Sequence, residues 1–150
     1  MFTHTILNIY GLLILTISIN CDIIQIEFKK GDLLMVSVPA FGGIYWANLE
    51  KRGNIQGGIR PVLGAQNDIG NSHSPLVSVI PLTTKDKRMP THVKISKESV
   101  DSGLTYDSYA LIEQLTQIPK NAIISFITKL NPESLKEIGK AMRLQYPFPA

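Results

Sequence analysis

The stretch Gln56-Gly57-Gly58-Ile59-Arg60-Pro61-Val62-Leu63, continued by Gln66-Asn67-Asp68-Ile69-Gly70-Asn71 and Ser74-Pro75, decides how the rest of the chain is read. It divides into a flexible loop, the beginning of a strand and a polar turn. Neither Gly57 nor Gly58 carries a Cβ, so backbone here can come close to a ligand. Pro61 has no amide hydrogen to donate and belongs at the start or edge of a strand. Arg60 then stands at the mouth of that strand. Asp68 and Asn71 have the short polar side chains that suit a tight turn.

Outward from this stretch, β signals dominate. Ile44–Leu49 reads as a short strand between Gly42-Gly43 and the charged turn Glu50-Lys51-Arg52-Gly53. Pro61–Gln66 is the next strand, and Leu76–Leu82, branched and apolar around Ser78, is a buried one. His92–Ile95 is short. Ser108–Ile118 reads as one long strand, with Ala110, Ile112 and Gln114 on one face and Leu111, Glu113 and Leu115 on the other. Near the end of the chain Asn131 is a good N-cap, Pro132 takes the first helical position and Glu133 lies in the first turn. Leu135, Ile138 and Met142 then give an apolar face at helical spacing, and Pro147 and Pro149 stop the helix. Short strands joined by turns, without a βαβ rhythm, predict a mainly β fold with a C-terminal helix, a small barrel whose helix covers it.

A chain of 150 residues, 44% hydrophobic and 18% charged, can bury one sizeable core and is not intrinsically disordered. Its net charge of +3 is uneven: residues 1–40 hold two lysines against three acidic residues, so the remainder carries +4. That basic bias permits an anionic partner such as RNA without demanding one. Residues 1–40 read as an extension and 41–150 as the folded domain. The apolar run Ile6–Ile19 falls short of the ~20 residues of a membrane-spanning helix, and it lacks the positive flank of a signal peptide. It remains open as a non-core extension, a signal or anchor, or an added strand or helix. The single cysteine, Cys21, excludes an intramolecular disulfide and every multi-cysteine zinc motif. It fits a reducing, cytoplasmic setting, with membrane association left open by the apolar run.

Most catalytic signatures are absent. There is no phosphate loop ending in Lys-Ser/Thr, no GxGxxG and no HExxH. Ser72, Ser74 and Ser78 lack the GxSxG frame of a nucleophile elbow. His73 and His92 would form a ribonuclease-type acid–base pair only if the fold brought them together. Otherwise they are hydrogen-bonded loop or strand-end residues.

The central stretch resembles the MazF/PemK toxins of bacterial toxin–antitoxin systems, and further blocks follow in family order. Pro81-Leu82-Thr83-Thr84 falls at the family's strand end with its threonine. Met89-Pro90-Thr91-His92-Val93 is similar to its Leu-Pro-Thr-His-Val. Asp107-Ser108 followed by Leu111-Ile112-Glu113-Gln114 is similar to its next strand, and Leu130-Asn131-Pro132-Glu133 to the start of its C-terminal helix. The blocks span residues 42–146. The resemblance implies an SH3-like barrel of the CcdB/MazF type, a homodimer, and a metal-independent endoribonuclease that cuts single-stranded mRNA at short sequences. It implies no cofactor, and a cognate antitoxin that occupies the RNA groove. Arg60 and Thr83 match the family's catalytic pair. The alternatives are a catalytically inactive relative and a gyrase-directed toxin on the same fold.

Cleavage without a metal uses the RNA's own 2′-hydroxyl, and a guanidinium suits the charge that builds on the phosphate. Arg60 is therefore the candidate for phosphate stabilisation and for proton delivery to the leaving oxygen. Thr83 offers a hydroxyl to orient the phosphate or the 2′-oxygen. Gln56 lies in the loop expected to close over RNA, and Asn67 and Gln114 are candidates for contacting exposed bases. Tyr45 or Trp46 could stack on a base, but one of them should face the core. The charged turns Lys51-Arg52 and Lys85-Asp86-Lys87-Arg88 attract phosphate at a distance or are plain solvated loops. The chain departs from the family at Gly43, where an Asp is common, and at Ile55, where some relatives have a glutamate proposed as a base. It departs again at Thr116, in place of an arginine, and in the tail Tyr146-Pro147-Phe148-Pro149.

Overall fold

The computed structural model describes residues 4–9, 12–19, 22–29, 32–100 and 103–149. Cys21 lies outside them. The first four strands are β1 (His4–Ile9), β2 (Leu12–Ile19), β3 (Asp22–Lys29) and β4 (Asp32–Ser37), an antiparallel sheet in chain order. Part of the apolar run Ile6–Ile19 thus lies in strands. Among the described residues no helix is long and apolar enough to cross a membrane.

A second antiparallel sheet holds β5 (Gly43–Leu49), β6 (Gly58–Gly64), β7 (Leu76–Thr83), β8 (His92–Ile95), β9 (Ser108–Leu111), β10 (Thr116–Pro119) and β11 (Ile123–Lys129). Its order is β11-β5-β6-β7-β9-β8, with β10 also pairing β7. No ladder joins β8 to β11 among the described residues, so the expected barrel is present as an open sheet. A short helix, α1 (Asp68–His73), links β6 to β7, and α2 (Pro132–Gln145) follows β11. The fold is mainly β with a C-terminal helix.

The central strands bury both faces. Successive side chains on a strand point to opposite sides, and neighbours here fall into different apolar clusters. Ile44, Leu63, Ile80 and Leu82 belong to one, together with Ile95, Ile112, Ile138 and Ala141. Tyr45, Ala47, Val62, Val77 and Val79 belong to the other, with Ile118. This double burial is why Leu76–Leu82 reads as a continuous apolar run rather than an alternating one. α2 covers the first cluster as its spacing predicts. Its N-cap Asn131 accepts a 2.8 Å bond from the Ser134 amide, Ile138 and Ala141 are buried, and Leu135 and Met142 pack alongside.

Three elements differ from the expectation. The segment Ser108–Ile118 is not one strand: β9 ends at Leu111, a 3-10 turn spans Ile112–Gln114, and the chain restarts as β10. Ala110, Leu111 and Ile112 are all buried. The turn takes the chain out of the β9 ladder after Leu111 and restarts it at Thr116. It also lets one edge of β7 carry two partners, β9 at Leu82–Thr83 and β10 at Leu76–Val79. The expected tight turn at Asp68–Asn71 is instead α1, started by the Asn67 side chain accepting from the Gly70 amide at 2.8 Å. The sequence reading passed over β11, whose side chains are mostly exposed and whose ladder with β5 carries two irregularities.

The 3-10 turn is anchored by a buried ion-pair geometry. The His92 imidazole, 1% exposed, donates from Nε2 to Glu113 Oε1 at 2.8 Å, and the Thr91 hydroxyl donates to Glu113 Oε2 at 3.3 Å. Removing the acceptor leaves a buried donor unpaired, which costs about 1–3 kcal/mol. Glu113→Ala is therefore expected to lower unfolding stability by that amount in a denaturant titration, and an unchanged midpoint would show that the pair holds nothing.

Candidate active site

Two prolines shape the end of the sheet where the candidate pair lies. β6 and β7 pair at Gly64–Val79, Leu63–Ile80 and Val62–Pro81, and the ladder runs no further. Pro61 has no N–H with which to continue it, while Pro81, across from Val62 in a non-hydrogen-bonded pair, turns its nitrogen to the other edge of β7. Two residues beyond the last pair, the antiparallel register sets Arg60 opposite Thr83. The two-residue period puts both on the face that carries Val62 and Val79. They line one shallow depression of about 210 Å³, with Ile59, Pro61, Leu82, Thr84 and Ser108 around them. β6 begins at Gly58, three residues before the expected start. Pro61 is therefore inside the strand, opposite Trp46 of β5 but still where pairing with β7 begins.

Arg60 is half-buried, and its own loop holds its guanidinium. Nε and Nη2 donate to the Gly57 carbonyl at 3.0 and 2.6 Å, and Nη1 donates to Gln56 Oε1. A guanidinium has five N–H donors, so these three bonds leave two for a ligand. Thr83 Oγ1 accepts from the Lys85 amide at 3.2 Å, which fixes the hydroxyl and leaves its proton to donate. The glycine pair does bring backbone close to a charged group, but that group is the protein's own arginine. A Cβ on Gly57 would lie 2.6 Å from Lys51 Cβ and 2.7 Å from its Cα, and Gly58 has φ +81°. The sequence signal was present in the two glycines. What it lacked was the partner.

The other candidates separate. Gln56 and Gln114 join the arginine: the Gln56 amide donates to Gln114 Oε1 at 3.0 Å, across 58 residues of sequence. Asn67 does not line the depression, and its side-chain oxygen caps α1. Of the two aromatics, Tyr45 is buried and edge-packed on Phe126 at 5.4 Å, while Trp46 is 41% exposed. His92 is held by Glu113, and His73 contacts the Ile69 carbonyl at 2.9 Å within α1, so the two histidines form no pair. Arg52 is engaged by Glu50 at 2.8 Å on the surface. Residues 85–88 are exposed, with the Arg88 amide held by Asp86 at 2.7 Å. A larger groove of about 660 Å³ was not anticipated. It lies beside the Glu50–Gln56 segment and is lined by Leu49, Ile55, Gln56, Ile59, Leu76 and Ile118 among others. Ile59, 66% exposed, borders both depressions.

Comparison with known proteins places this geometry in a family. Residues 40–146 match the family model described as PemK-like, MazF-like toxin of type II toxin-antitoxin system. The endoribonuclease MazF of Staphylococcus saprophyticus is 39% identical over 104 residues, covering 67% of this chain and 85% of that protein. The endoribonuclease EndoA of Bacillus subtilis is 38% identical over 106 residues, covering 69% and 90%. Among solved structures, MazF from Deinococcus radiodurans superposes with a TM-score of 0.64 at 20% identity, covering 74% of this chain and 98% of that one. An endoribonuclease in complex with its cognate antitoxin from Mycobacterial species gives 0.61 at 23% identity, covering 75% and 98%. With the family model matching residues 40–146 and both relatives above 30% identity, the chain belongs to the PemK/MazF-like toxin family of type II toxin–antitoxin systems.

Proposed function

We infer that the chain is the toxin of a toxin–antitoxin pair and an endoribonuclease that cuts single-stranded mRNA at short sequences without a metal cofactor. The observation that carries this reading is the opposition of Arg60 and Thr83 across the proline-ended ladder, in one depression, with two guanidinium donors uncommitted.

In this reading the scissile phosphate lies between the two side chains. The 2′-oxygen forms a bond to phosphorus as the bond to the 5′-oxygen breaks. The 2′-hydroxyl gives up its proton and the leaving oxygen gains one. The products are a 5′-hydroxyl and a 2′,3′-cyclic phosphate, which water can open to a 3′-phosphate. Arg60 faces the charge that grows on the non-bridging oxygens and can supply the proton to the leaving group. Thr83 orients the phosphate or the attacking oxygen through its hydroxyl. Residue 55 is isoleucine, so no glutamate base acts from that position. Residues 41–150 form the catalytic domain, working as a homodimer with a cognate antitoxin. Support for the antitoxin comes from the complexes known for the Mycobacterial and Deinococcus radiodurans neighbours.

The test is cleavage of single-stranded RNA by the full chain with EDTA present. Wild-type protein is expected to leave 5′-hydroxyl ends. Arg60→Ala is expected to cut about 10²–10³-fold more slowly, the loss typical of removing one donor to a developing oxyanion. Thr83→Ala should lose less. An Arg60→Ala protein that cuts at the wild-type rate would remove the arginine from the mechanism. Gly57→Ala should also slow cleavage while Arg60 is intact, since the new methyl must push the Gly57 carbonyl away from Lys51 and off the guanidinium.

A further inference from the structure

We propose that Gln114 is a positioning residue for Arg60, acting through the loop between β5 and β6 rather than by contacting an RNA base; this rests on the reading of Arg60 given above. Both oxygens that hold the guanidinium, Gly57 O and Gln56 Oε1, sit where that loop enters β6. Residues 50–55 of the loop are exposed, and two local bonds order them from within, the Ile55 amide to the Arg52 carbonyl at 3.0 Å and Arg52 Nη2 to Glu50 Oε2 at 2.8 Å. The bond that ties Gln56 to a distant element is the one from its amide to Gln114 Oε1.

Gln114 is well placed to act as the fixed end. It closes the 3-10 turn Ile112–Gln114, in which Ile112 is fully buried and its amide donates to the Thr91 carbonyl at 3.2 Å. Glu113 is clamped by His92 and Thr91, and the Leu115 amide closes the turn onto the Ile112 carbonyl at 3.2 Å. A rigid corner of the core thus reaches the active-site arginine through one carboxamide and the main chain of Gln56. The Gln114 oxygen is occupied by this bond, which leaves only its two N–H donors for any other partner.

The two roles differ in what they predict. A displacement of about 1 Å in a catalytic group can cost on the order of 100-fold in rate. Gln114→Ala in the full chain is expected to lower kcat about 10- to 100-fold with KM changed less than threefold. Its preference among cleavage sites in a random RNA pool should stay the same. Combining it with Arg60→Ala should add no further loss. The Arg60 Nε–H resonance in a 15N spectrum of RNA-free protein should move in Gln114→Ala and return towards its wild-type position in Gln114→Glu, which keeps an acceptor for the Gln56 amide. A wild-type kcat in Gln114→Ala, an altered site preference, or an unmoved Arg60 resonance would overturn the proposal. Each of those results would leave the arginine's own role standing if Arg60→Ala remained slow. An Arg60→Ala protein with full activity would instead remove the reading on which the proposal depends.

Discussion

The active end of this molecule depends on a hydrogen-bond ladder that stops. β6 and β7 are joined through Val62–Pro81, and the missing amide of Pro61 removes a donor where the next bonded pair would form. Continued pairing would bring the residues beyond into close main-chain contact. Where pairing ends, a depression opens, and the register that built the core now sets Arg60 and Thr83 across it. Fold and chemistry therefore share one cause. The strands' alternation fixes which face the pair occupies, and Pro61 marks where along the strands the gap begins.

The same economy appears at the sheet's corner. The break in the segment Ser108–Ile118 serves pairing, because it lets β9 and β10 each take a separate part of β7. It also sets Gln114 on a stiff turn beside the exposed loop that carries Gln56. The buried His92–Glu113 contact, far in sequence from the loop, belongs to the same arrangement. Histidine and glutamate, which invite a catalytic reading when met in a sequence, here stabilise a corner.

Much of this was legible in the residues and some was not, for physical reasons. The helix α2 was readable because its cap, its proline and its apolar spacing all act within a few residues. The strands β5, β7 and β8 were readable within one residue at each end because their flanking turns and apolar runs agree. Tyr45 and Trp46 alternate as a strand requires, although which of them faces inward depends on the packing of β11. The split of Ser108–Ile118 was not readable, because alternation continues across it and the break shows only in the pairing of β9 and β10 with distant β7. α1 was missed because a six-residue helix held by one cap looks like a turn in the sequence. β11 was missed because an exposed, irregular strand has a weak period. At the site, the family resemblance singled out Arg60 and Thr83, and the structure puts them in one depression. The bond between Gln114 and Gln56 was not readable, because it spans 58 residues.

The partners of Arg60 have a consequence for the field outside the protein. Elsewhere among the described residues Arg52, Lys94 and Lys140 each lie against a carboxylate, so each of these three cations is paired within 3 Å. Arg60 has no carboxylate at ion-pair distance among those residues, and its three bonds go to a carbonyl and a carboxamide, which are uncharged. Dipoles can aim a guanidinium without neutralising it. The half-buried group therefore keeps its positive charge uncancelled in a shallow depression, where solvent screens it less than a fully exposed side chain. A polyanion drifting along this face would meet, in the depression that Arg60 lines, a positive charge that no neighbouring carboxylate cancels and that is already held in place.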